Sequence, residues 1–328
     1  MFGLLGNGDY SYTAVEGWAG SLQLSDVADI AIGESGRIHL LIRDKPSVVV
    51  VRRDGSFIRS FGHGIFRWPH GLTISPDGTF YCVDTRWHVV FALDPVQGIL
   101  GTIGTLGAPC DNGYVDGKQL SLPRSGPPFN RPTAVAIAPD GDLFVSDGYG
   151  NARVHRFASD GSLLASWGAP GSGPGQFRVP HSIVVRDEKV IVADRENSRL
   201  QFFNMDGRFL DEWTDFVRPS GIALDSAGNI YVCELGRRAG RLSEMHEMSA
   251  SEPPGRVSVF SPSGSLLARW GGPDPSSPGS FFAPHGIAVD DRGDVYVSEV
   301  NRSAGGGPAA RGWHSVQKFR RTSPGQGS

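Results

Sequence analysis

Apolar and polar positions alternate along most of the chain. The pattern is clearest after Pro132, where TAVAIA, DLFVSD, ARVHRFA and LLASWG each carry apolar side chains at every second residue. A period of two places those side chains on one face of an extended strand. Asp140-Gly141 and Asp160-Gly161 fall between the runs and supply tight turns. The segment therefore predicts four antiparallel strands joined by hairpins rather than helices.

The same pattern recurs. PHGLTISPDGTFYCVD starts at Pro69, PTAVAIAPDGDLFVSD at Pro132 and PHSIVVRDEKVIVAD at Pro180. PSGIALDSAGNIYVCE starts at Pro219 and PHGIAVDDRGDVYVSE at Pro284, and VADIAIGESGRIHLLIRD from Val27 is a divergent sixth copy. Successive starts are 42, 63, 48, 39 and 65 residues apart, so the base unit is the length of one four-stranded propeller blade. The pattern resembles NHL repeats. It predicts an all-β fold, a six-bladed β-propeller in one domain spanning 1–328. The last copy reaches a third strand at HSVQKF (His314–Phe319), and its fourth is expected from the N-terminal segment Tyr12–Trp18, which would remove exposed sheet edges. Residues 320–328 are expected to form a disordered tail.

Composition narrows the partners. The 31 basic and 34 acidic residues give a net charge of −3, which offers no electrostatic reason to expect nucleic acid or an acidic membrane. No run of apolar residues is long enough to span a bilayer, and the N-terminus lacks a basic segment followed by an apolar one. The cysteines Cys82, Cys110 and Cys233 are odd in number and have no paired spacing. A cytoplasmic protein is the expectation. Nothing in the sequence identifies a protein partner.

Register supplies the candidate chemistry. The residue after the proline, or its equivalent, runs Ala28, His70, Thr133, His181, Ser220, His285. Histidine thus occupies every second blade. In a sixfold ring the three imidazoles fall a third of a turn apart at one height, and three neutral His ligands with an open fourth position describe a catalytic zinc site. The remaining histidines, including His39, His88, His155 and His246, have no such phase and read as packing or surface residues. Residues just past the second strands gather on the histidine face: Arg43, Arg86, Tyr149, Arg195 and Glu196. The long connections Thr105–Arg131 and Leu235–Gly255, and the glycine-rich stretch after Val300, open there too, while the opposite face carries short turns. Arg86 is accordingly a candidate substrate contact.

At these residues the sequence resembles the peptidyl-α-hydroxyglycine α-amidating lyase family. The strings that carry the resemblance are VSDGYGNARV, PGQFRVPHS and VADRENSRLQFF, with weaker similarity in WPHGL, the IRD around Arg43 and APHGIAVD. The resemblance implies that His70, His181 and His285 bind zinc, that Tyr149 is the catalytic tyrosine, and that Arg43 and Arg195 hold substrate near the metal. It implies cleavage of a carbinolamide, N–CH(OH)–COO⁻, to an amide and glyoxylate, and so a small-molecule substrate bearing a carboxylate.

The chain departs from that family in three places. Gly150, Ile191 and Phe202 stand where the family has disulfide cysteines. Gly286 replaces the aspartate of a structural calcium site whose carbonyls would come from Ile30 and Leu72, and Asp29 occupies the same ring position one blade on, so we expect Asp29 to replace the lost carboxylate and retain calcium. Ala283 stands in place of a methionine before the third Pro-His pair. Six blades fill the length, with no room for a copper hydroxylating domain, so the reaction type is better indicated than the substrate. Two other functions fit the sequence. One is metal-assisted hydrolysis or hydration at the same three histidines, and the other is a non-catalytic NHL scaffold binding protein or RNA.

Overall fold

The computed structural model describes residues 3–33, 35–45, 47–236 and 253–322. The basic run Arg237–Arg241, His246 and the end of the expected tail lie outside them. The fold is a six-bladed β-propeller, and its strands group into two compact units, one holding blades 2, 3 and 4 and the other blades 1, 5 and 6.

Blade 2 comprises Pro69–Ile74, Phe80–Asp84, Val89–Asp94 and Gly98–Ile103. Blade 3 comprises Pro132–Ile137, Leu143–Asp147, Arg153–Phe157 and Leu163–Trp167, the four hairpin strands predicted. Blade 4 runs through Pro180–Arg186, Lys189–Asp194, Arg199–Asn204 and Phe209–Trp213. Within this unit apolar side chains pack between neighbouring sheets. Val83 and Val90 of blade 2 meet Val135, Val145 and Phe157 of blade 3, and Phe144 and Val154 of blade 3 meet Val190, Val192 and Phe203 of blade 4. Burial of such side chains contributes roughly 1.5–3 kcal/mol each.

In the other unit, blade 1 comprises Val27–Ile32, Ile38–Ile42, Ser47–Val51 and Phe57–Phe61, and blade 5 comprises Pro219–Leu224, Ile230–Glu234, Arg256–Phe260 and Leu266–Gly271. Blade 6 takes Pro284–Val289, Val295–Glu299 and Val316–Arg321 from the C-terminal part and Tyr10–Ala14 from the N-terminal part. The N-terminal strand completes this blade as expected, but over Tyr10–Ala14 rather than Tyr12–Trp18, with Tyr12 opposite Arg321 and Ala14 opposite Phe319. Trp18 lies beyond the strand in a turn, where it packs with Val27, Ile30 and Tyr296. Its apolar character serves that core rather than a strand period. A further strand, Leu5–Asn7, pairs outside Tyr10–Ala14. The third strand is shifted to Val316–Arg321, and the Thr322 amide donates to the Ser11 carbonyl at 2.9 Å, so 320–322 are ordered rather than tail.

Two local features recur where the blades begin. In five of the first hairpins the register slips by one residue directly after the first position: between Pro69 and Gly71, Pro132 and Ala134, Pro180 and Ser182, Pro284 and Gly286, and Val27 and Asp29. The skipped residues are His70, Thr133, His181, His285 and Ala28. A bulge leaves the extra residue out of the ladder and re-aims its side chain. The acid ending the second strand then ties down the chain leading into the blade. Asp84 accepts from the Arg67 and Trp68 amides at 2.7 and 2.8 Å, Asp194 from Arg178 N at 2.7 Å, and Glu299 from Phe282 N at 2.7 Å. Backbone N–H donors satisfy these buried carboxylates, which would otherwise be costly to desolvate.

Candidate active site

In the unit of blades 2–4 the bulges bring two imidazoles together. His70 and His181 are buried, with ring centroids 4.8 Å apart. His70 Nδ1 lies 2.7 Å from the Thr133 carbonyl oxygen. A carbonyl can only accept, so Nδ1 carries the proton and Nε2 presents its lone pair. The Tyr149 hydroxyl lies 3.1 Å from His70 Nε2 and 2.9 Å from His181 Nε2. Tyr149 stands just past the second strand of blade 3, its amide donating to the Arg131 carbonyl at 3.2 Å.

Arg195 completes this group. Its Nη1 donates to the Tyr149 oxygen at 3.1 Å, and its guanidinium carbon lies 5.3 Å from the centroid of the Tyr149 ring. Arg195 is buried, and its Nε donates to Glu196 Oε1 at 2.7 Å. Arg218 meets the same carboxylate, with Nε donating to Oε2 at 3.0 Å and Nη2 to Oε1 at 2.9 Å. Burial pushes the Glu196 carboxyl upward, but Arg195 and Arg218 outweigh it and hold it down to about 2. A carboxylate flanked by two guanidiniums fixes Arg195 on the tyrosine oxygen. Sequence reading placed Glu196 on this face but missed its role and missed Arg218, which is distant along the chain.

In the unit of blades 1, 5 and 6, His285 is likewise buried, and its Nδ1 lies 2.7 Å from the Ala28 carbonyl oxygen. Arg43 donates from Nη1 to Ser303 Oγ at 2.8 Å, and its Nη2 lies 3.4 Å from His285 Nε2. Asp29 lies against Gly286: a Cβ built on Gly286 would stand 2.8 Å from the Asp29 Cα. The two ring positions therefore cannot both carry a carboxylate side chain without rearrangement. Asp29 Oδ1 accepts from the Ile30 amide at 2.9 Å. Ile30 and Leu72 are buried residues in the first strands of their own blades.

The residues fit a metal. His70 and His181 in one unit, and His285 in the other, are each buried. In His70 and His285 the bond from Nδ1–H to a backbone carbonyl fixes the tautomer that leaves Nε2 as donor atom, as metal-ligating histidines require. His155 and His39 are buried in packing roles, His155 Nδ1 lying 2.7 Å from Ser166 Oγ. Arg86 is exposed, with its guanidinium carbon 4.6 Å from the centroid of the Trp68 ring. The three cysteines are free thiols.

Comparison with known proteins agrees with the fold. The NHL repeat model matches residues 129–157 and 177–203. A peptidylglycine alpha-amidating monooxygenase of Rattus norvegicus is 36% identical over 276 residues, covering 79% of this chain and 25% of the relative. A probable peptidyl-alpha-hydroxyglycine alpha-amidating lyase of Caenorhabditis elegans is 35% identical over 189 residues, 56% of this chain and 49% of the relative. The chain thus spans a quarter of the rat relative and about half of the nematode one. A solved streptogramin B lyase superposes with a TM-score of 0.57 at 14% identity, covering 95% of this chain and 97% of that one, a likeness of fold alone. The sequence relatives support a lyase-like function.

Proposed function

We infer that this chain, an NHL-repeat protein similar to the peptidyl-α-hydroxyglycine α-amidating lyases, is a zinc-dependent lyase. It would cleave the C–N bond of a small carboxylated carbinolamide, N–CH(OH)–COO⁻. The observation that carries the reading is the Tyr149 oxygen, which meets His70 Nε2, His181 Nε2 and Arg195 Nη1 within 3.1 Å.

His70, His181 and His285 would hold the zinc, which when bound supplies Lewis acidity toward a substrate oxygen. Tyr149 is the acid–base group. As its oxygen takes the proton of the substrate hydroxyl, its own hydroxyl proton passes to the departing nitrogen, the carbon–oxygen bond becoming a carbonyl as the C–N bond breaks. The products are an amide and glyoxylate, with no other reactant. Arg195 holds the Tyr149 oxygen in place and offers it a fixed positive charge. Arg43 is the candidate clamp for the substrate carboxylate, since its planar guanidinium matches that group. Glu196 and Arg218 position Arg195 and touch no substrate.

The test is elemental analysis followed by a glyoxylate assay with an N-acyl-α-hydroxyglycine, on wild type and His181→Ala. One zinc per chain, lost with the histidine, together with glyoxylate release would support the reading. Zinc without glyoxylate would refute the lyase chemistry and leave a metal site.

A further inference from the structure

Blade 2 carries a feature outside the group around Tyr149. The dipeptide Arg-Trp occurs twice, as Arg67-Trp68 leading into the first strand and Arg86-Trp87 leaving the second. The two copies interlock. The Arg86 guanidinium carbon lies 4.6 Å from the centroid of the Trp68 ring, and that of Arg67 lies 5.2 Å from the centroid of the Trp87 ring. One buried carboxylate organises all four residues: Asp84 Oδ2 accepts from Arg67 N and Trp68 N, and Oδ1 from Arg86 N at 3.0 Å and Trp87 N at 2.9 Å.

The ladder adjoins His70 along the chain. Pro69 pairs with Asp84, the Thr85 amide donates to the Trp68 carbonyl at 3.1 Å, and His70 is the bulged residue of that hairpin. Arg67 and Arg86 are exposed, and among the described residues neither makes an ion pair. Arg131, Arg156, Arg199 and Arg218 of the same unit all do. A guanidinium stacked on an indole uses its face and leaves its in-plane N–H donors free, the geometry that grips a carboxylate.

We propose that Arg67 and Arg86, braced on Trp87 and Trp68, form a second anion subsite. It selects substrates with a further carboxylate on the amide side of the cleaved bond, such as an acidic residue next to the hydroxyglycine. The proposal rests on the lyase reading for the identity of the cleaved bond, and adds that the substrate is doubly anionic.

The test uses uncleavable analogues, N-acetyl-Glu-Gly and N-acetyl-Gln-Gly, titrated calorimetrically into zinc-loaded full-length protein at low salt. Wild type is expected to bind the Glu analogue about fivefold more tightly, the scale of two exposed charge contacts. In Arg67→Ala/Arg86→Ala that ratio falls to about one, with zinc content and melting temperature reporting intact folding. Equal binding by wild type, no binding of either analogue, or a ratio that survives the double substitution overturns the proposal. Glyoxylate from both hydroxylated counterparts without charge preference overturns the subsite alone. A preference without any glyoxylate retains the anion subsite and overturns the lyase reading.

Discussion

The carboxylate of Glu196 offers a quantitative test of how the Tyr149 environment is held. Its side chain is fully buried between Arg195 and Arg218. Replacing it by Gln keeps the shape and one carbonyl acceptor while removing the charge. The two guanidiniums hold its carboxyl at about 2 in the folded protein, against an ordinary 4.5. At about 1.4 kcal/mol per unit, that difference makes ionised Glu196 worth about 3 kcal/mol at pH 7. Loss of one partner from a buried ion pair costs about 3–5 kcal/mol, the same range.

The sign follows from the depressed value. The unfolded chain takes up the proton first as pH falls, so the stabilisation is complete above pH 4.5 and disappears as pH drops toward 2. Urea unfolding of wild type and Glu196→Gln at pH 7, 5, 4 and 3 should give a difference near 3 kcal/mol at pH 7 and less than half of that, about 1.4 kcal/mol, at pH 3. Taking the difference cancels groups common to both proteins, such as Asp194, which burial pushes up to about 6. A difference below about 1 kcal/mol at pH 7, or one that stays constant down to pH 3, would refute the view that charge rather than shape holds this network.

Gly286→Ala should lower stability by about 2 kcal/mol, because the new methyl meets the Asp29 Cα and the Ser298 hydroxyl, each 2.8 Å from the Cβ position. Thermal melts check it, and an unchanged melting temperature would show that the two strands separate freely. If Asp29 replaces the missing carboxylate of a calcium site, Asp29→Ala protein should bind less calcium by elemental analysis and lose any calcium-dependent rise in melting temperature. Unchanged values would end that idea. Thiol labelling of native protein at pH 8 should be slow and confined to half-buried Cys110, whose thiol burial pushes up to about 11, while buried Cys233 is pushed up to about 12. Fast modification of more than one thiol would contradict this burial.

The fold was legible because repetition is a sequence property. Six copies of one hairpin pattern indicated the blades, and the alternation in each fixed which side chains face the neighbouring sheet. The boundaries of the closing strand were not, since Trp18 continues the apolar run while packing against Val27 and Tyr296 beyond the strand end. Leu5–Asn7 is three residues long, too short to show a period. Arg218 was invisible for another reason: only the folded chain brings it to Glu196, and a lone arginine before a proline carries no signal.

The Pro-His spacing was legible because it has a mechanical cause. Proline begins the strand without a donor, the next residue is skipped by the ladder, and the following residue resumes pairing. Whatever occupies the skipped position is freed from the sheet and held at its start. Thr133 shows the same position used structurally: its hydroxyl donates to the Pro180 carbonyl at 2.9 Å, while its own carbonyl receives His70 Nδ1. Alternate blades therefore divide the work. One bulge presents an imidazole, and the next supplies the backbone carbonyl that orients it. A histidine at 133 would keep the carbonyl that orients His70 but forfeit the hydroxyl bond to blade 4. At position 133 the side chain thus serves the sheet while the backbone carbonyl serves the imidazole.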